Sequence, residues 1–135
     1  MTTQSSDGTS GSISGGAPDG DYGVPGLLAA VLADVAAERV RQDERFGIQE
    51  HPDGTGPDRT QAADAARAAT DAAKAAGQVT WRHILHEEVL EAFAEQEAEA
   101  LRAELVQVAA VAVKWIQSLD RRSPPGGRAD VKERE

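Results

Sequence analysis

Four glutamates and a glutamine in the second half of the chain have types and spacings that could do chemistry. Glu87, Glu88 and Glu91 fall within "HEEVLE", and Glu104 and Gln107 follow in "ELVQ". Glu88 and Glu91 are i,i+3 and Glu87 and Glu91 are i,i+4, so on a helix all three project within one sector. Glu104 and Gln107 repeat the i,i+3 spacing, and Val111 and Lys114 continue their stripe. Like charges at i,i+4 cost ~0.2–0.5 kcal/mol per pair on an exposed helix, and more in a partly buried cleft. Glu88 follows Ile84-Leu85, on the side expected to pack. A divalent cation would remove the penalty, and oxygen donors without His or Cys suit Mg²⁺ or Mn²⁺. Glu95, Glu97 and Glu99, by contrast, read as ordinary solvated residues.

The elements that must position these groups are helical. Residues 1–24 are rich in Gly, Ser and Asp, and the segment 123–135 is charged behind Pro124-Pro125; both read as disordered tails. The folded unit is then 25–122, a single all-α domain. Four helices are expected in it. The first runs from about Pro25 to Arg45, with Leu28, Val31, Leu32 and Val35 at helical spacing and Gly47 ending it. "HPDGTGP" is a loop by composition. The second, alanine-rich, runs from about Asp58 to Ala76 with Gly77 as its cap, and Asp64, Arg67, Asp71 and Lys74 form an alternating-sign stripe that reads as a solvated face. The third begins at Thr80, a natural N-cap, and reaches about Gln96. The fourth spans about Ala98 to Arg121. Its seam of Leu101, Leu105, Val108, Ala112, Trp115 and Leu119 is accompanied by a second apolar face of Val106, Ala109, Val113 and Ile116. A helix that is apolar on two sides needs cover on both, which points to a homodimer or homotetramer.

A short turn near Glu97–Ala98 makes helices three and four antiparallel neighbours. Glu91 lies about seven residues before that turn and Glu104 about six after it. At ~1.5 Å rise per residue both stand roughly 10 Å from the turn, at one level. The two acidic groups therefore meet.

The pattern Glu87-Glu88-Val89-Leu90-Glu91 followed by Glu104-Leu105-Val106-Gln107 resembles the motif of the all-α nucleoside triphosphate pyrophosphohydrolases, the MazG-like group. In that family two glutamates, two spacers and a third glutamate precede Glu-x-x-Asp on the next helix. The resemblance covers the third and fourth helices closely and the helical unit in outline. It implies a four-helix, MazG-like bundle and a Mg²⁺-dependent attack of water on a nucleoside triphosphate, giving a nucleoside monophosphate and pyrophosphate. By position it implies that Glu88, Glu91 and Glu104 are metal ligands, that Glu87 is a further ligand or orients the water, and that Gln107 fills the metal-side place where the family has Asp. Arg39, Arg41, Gln42 and Arg45 are candidate phosphate or base donors, with Gln49 and His51 at the mouth, and similar Arg-rich first helices occur in relatives. The bland alternative for them is a solvated helix end whose cations suit the macrodipole. Lys114, ~10 Å beyond Gln107, could meet a distal phosphate or simply snorkel.

Other chemistries fit poorly. No glutamate has His three residues later, as paired di-iron sites require, and His86-Glu87-Glu88-Val89-Leu90 lacks the second histidine of a zincin. His83 and His86 read as surface or packing residues. The 135-residue chain has no cysteine, which removes thiol catalysis and zinc fingers, and its formal net charge of −9 argues against a phosphate-backbone grip on nucleic acid. Residues 1–26 carry no Lys or Arg and no apolar run, unlike a targeting peptide, and no stretch resembles a membrane span. A soluble, cytoplasmic protein is the expectation. The alternative function is a helical dimerisation or regulatory module, or a nucleotide binder with weak catalysis.

Overall fold

The computed structural model describes residues 24–123. Among these the chain forms four α-helices and no strand: α1 Leu28–Phe46, α2 Thr60–Ala75, α3 Trp81–Phe93 and α4 Ala98–Arg122, with a short 3-10 turn at Pro57–Arg59 ahead of α2. The expected tails fall outside the described residues, apart from Val24 and Ser123. No helix among the described residues is long and apolar enough to cross a membrane.

Helices α2, α3 and α4 pack in sequence order, and α1 packs principally on α4. The alanine richness of α2 explains its fit against α3. Ala63, Ala66 and Thr70 are buried and Ala73 half-buried, a stripe at helical spacing whose short side chains let the backbones approach. Thr70, 1% exposed, satisfies its hydroxyl by donating to the carbonyl of Ala66 at 3.0 Å, with the carbonyl of His83 also in reach at 3.2 Å. A buried hydroxyl left unpaired would cost about 1–3 kcal/mol.

The α2–α3 connection is sharply specified. Gly77 has φ 69°, and its N–H donates to Lys74 O (3.0 Å) while that of Gln78 donates to Ala73 O (2.8 Å). This pair of bonds is a Schellman motif, and it ends α2 where the sequence places a glycine. Thr80 then caps α3. Its hydroxyl accepts from the His83 N–H, and His83 Nδ1 accepts from the Thr80 N–H, closing a capping box. His83 is thus a structural residue of the helix start. The loop before α2 is tied back as well, through Gly56 N–H to Phe93 O at 2.9 Å.

One expected boundary needs correction. The first helix starts at Leu28 rather than Pro25, because Gly26 takes φ 77° in a turn against α4. The apolar surface of α4 is only partly covered: Leu101 of the seam and Val113 of the second face are buried, whereas Leu105 and Leu119 of the seam are 47% and 44% exposed. On α1, Val31 is fully buried, yet every residue from 32 to 50 is exposed. The buried apolar set is small and half of it is alanine: Val31, Ala63, Ala66, Ala92, Leu101 and Val113.

Candidate metal centre

The short Ala94–Glu97 connection turns α4 back along α3 and brings their carboxylates together. Glu88, Glu91 and Glu104 each offer an oxygen, and these oxygens all lie within 4.8 Å of one another, at half-buried positions. The level calculated from the helical rise therefore matches the geometry. Glu87 stands beside them with its side chain 17% exposed.

The cluster's electrostatics are those of crowded anions. Partial burial, then the charges of Glu91, Glu104 and Glu87, push the Glu88 carboxyl above the ordinary carboxylate range, and Lys74 opposes the shift. Burial, then Glu91 and Glu95, raise Glu104 in the same way, with Arg67 opposing. Each group is harder to ionise than a free glutamate, as expected of carboxylates that are partly desolvated and lie beside one another.

Arg67 of α2 completes the arrangement. Its Nη2 and Nε both donate to Glu91 Oε1, at 2.7 and 3.2 Å, and its Nε lies 3.8 Å from Glu87 Oε1. The bond to Glu91 and the negative charges nearby raise its own pKa. The stripe read as a solvated face is thus not merely solvated: Arg67 stays 55% exposed but pairs across to α3. The signal was present in the spacing. Arg67 lies nine residues before Ala76 and Glu91 ten after Trp81, so the antiparallel arithmetic that joins Glu91 to Glu104 also joins Arg67 to Glu91.

The donor set fits a hard divalent cation. Three carboxylate oxygens from two helices are the right chemistry for Mg²⁺ or Mn²⁺, which also keep several waters. Opposite ligands of an octahedral Mg²⁺ are about 4.2 Å apart, so small side-chain rotations would close the cluster. Gln107, one helical turn beyond Glu104, is exposed, and so is Lys114.

The first-helix candidates are placed differently. Arg39 donates to Gln42 at 2.9 Å and pairs with Asp43 at 3.0 Å; Arg41 pairs with Glu38 at 2.8 Å; the Arg45 guanidinium lies 5.2 Å from the centroid of the Phe46 ring. These interactions all run within α1, and none joins Glu87, Glu88, Glu91 or Glu104. Gln49 and His51 are exposed in the loop that follows. The structure thus brings together Glu88, Glu91 and Glu104, links Glu87 to them through Arg67, and leaves Arg39, Arg41, Gln42 and Arg45 on a separate helix.

Comparisons with family models, curated proteins and solved structures returned no match. The resemblance to MazG-like enzymes rests on the residues themselves.

Proposed function

We propose that the chain is a Mg²⁺-dependent nucleoside triphosphate pyrophosphohydrolase of MazG-like type, cleaving a nucleoside triphosphate to the monophosphate and pyrophosphate. The observation that carries this reading is the convergence of Glu88, Glu91 and Glu104 from two helices, at the spacing of the family motif. In it these three side chains hold the cation (Mg²⁺ or Mn²⁺), with Gln107 as a neutral neighbour on the metal side. A bound divalent cation supplies neutralisation of the triphosphate and a water of lowered pKa. Glu87, next to the cluster, orients the attacking water and accepts its proton. Lys114 and the α1 residues Arg39, Arg41, Gln42 and Arg45 are the proposed phosphate and base contacts. Nucleotide substrates place the protein in the cytoplasm on this reading.

Purified protein should release pyrophosphate, not orthophosphate, from at least one member of a nucleoside triphosphate panel with Mg²⁺ or Mn²⁺ present. Glu88→Gln and Glu91→Gln should each lower turnover by about 100-fold or more with unchanged helical circular dichroism. Loss of helical signal in those variants would make the glutamates structural and refute the assignment.

A second reading is favoured by a separate observation. Leu28, Leu32, Val35, Val40 and Phe46 on α1, with Leu105 and Val106 on α4, are between 39% and 56% exposed. That much uncovered apolar surface suits a helical dimerisation or regulatory module. Thermal melting separates the two readings: a cation site on the folded protein raises the melting temperature with the logarithm of Mg²⁺ concentration above its Kd, whereas an association module is indifferent to Mg²⁺.

A further inference from the structure

The ion pairs of Arg67 bear on how the proposed centre fills and what it recognises. Among the described residues no other Lys or Arg forms an ion pair with Glu87, Glu88, Glu91 or Glu104, and Arg67 does so with Glu91, whose charge weighs on both Glu88 and Glu104. Two of its N–H groups converge on the same oxygen, Glu91 Oε1. A guanidinium is permanently charged and planar, and it recognises carboxylate and phosphate oxygens with the same fork. It is also half-exposed on a flexible stem, so nothing buries it in place.

A divalent cation among Glu88, Glu91 and Glu104 would repel that guanidinium. Its bonds to oxygen, at ~2.1 Å, are shorter than any the guanidinium can make, and it brings twice the charge. We propose that Arg67 is an exchangeable counter-ion: it holds Glu91 while the cluster lacks a cation, leaves Glu91 when a divalent cation binds, and then takes a phosphate oxygen of the incoming nucleotide. This rests on the metal reading of the cluster. It adds a specific recognition group for the phosphate chain, supplied by α2.

Two affinities and one spectrum test it on the full chain. Arg67→Gln should bind Mn²⁺ about fivefold or more tightly than wild type, by electron paramagnetic resonance titration, because a competing positive charge is gone. In saturating Mn²⁺ the same variant should bind inorganic pyrophosphate about tenfold more weakly, with Arg67→Lys in between. In the wild-type protein the Arg67 Nε–H resonance should shift on titration with diamagnetic Mg²⁺, which needs no variant to fold. Unchanged or weaker Mn²⁺ binding by Arg67→Gln, or an unmoved Nε–H resonance in a protein that does bind Mg²⁺, would overturn the exchange and leave Arg67 as a fixed orienter of Glu91. Wild-type protein that binds no Mn²⁺ at millimolar concentration would refute the metal reading itself, and the exchange with it.

Discussion

Gln107 stands where the MazG-like motif carries an aspartate, and its exposure decides how a charge would behave there. A carboxylate introduced into a buried position is desolvated without a partner; at an exposed one it remains hydrated. Gln107→Asp should therefore melt within a few degrees of wild type without metal, and should tighten Mg²⁺ binding by about three- to tenfold by isothermal titration calorimetry. Gln107→Leu, which removes the polar group, should lower turnover. The glutamates themselves predict a pH dependence. Glu88 and Glu104 are both raised from the ordinary value of 4.5. A carboxyl raised in the folded state contributes stability that is whole below its unfolded pKa and is lost as pH rises through the folded one. Relative to a Glu88→Gln/Glu104→Gln double variant, metal-free protein should thus lose stability in urea melts as pH climbs from about 4.5 toward neutrality. Saturating Mg²⁺ should reverse that trend, since the cation binds the ionised form.

Between elements, the turns that set the register are made by few residues, and each can be tested. Gly77→Ala places a side chain at φ 69° in the Schellman turn, and Thr80→Ala removes the hydroxyl that caps α3. Each should cost about 1 kcal/mol in denaturant unfolding. These same two residues were legible in the sequence, because a glycine after an alanine-rich run and a threonine before an apolar one have local causes. The meeting of Glu91 with Glu104 was legible for a related reason: a short turn and a fixed rise per residue determine the level. Arg67 was hidden by its own stripe. Asp64 and Asp71 offer it partners at i−3 and i+4 on its own helix, and the register of α2 against α3 decides for Glu91. The exposure of α1 beyond Val31 was not legible either. Leu32 and Val35 have core spacing, and hydropathy cannot say how far along a helix its cover extends.

For the molecule as a whole, the thin single-chain core bears on assembly. Val106, at 52% exposure, and Leu105, at 47%, leave the early part of α4 open, while α1 presents Leu32, Val35 and Phe46. Full burial of such a side chain is worth about 1.5–3 kcal/mol, so covering the half still exposed would add about 1 kcal/mol each. Light scattering at micromolar concentration should report a dimer or tetramer, and Val106→Glu should shift it toward monomer; a wild-type monomer would refute this. The turn at Gly26 has a consequence in time. Gln117 Nε2 donates to Gly26 O at 2.8 Å across 91 positions of sequence, and a side chain at Gly26 would meet the Gln117 carbonyl at 2.8 Å. Helices α2, α3 and α4 join through short turns, whereas this junction closes a long loop and carries the larger entropy cost of closure. Amide hydrogen exchange should accordingly show α1 opening at lower free energy than α2–α4, and Gln117→Ala should widen that gap without accelerating exchange around Glu88.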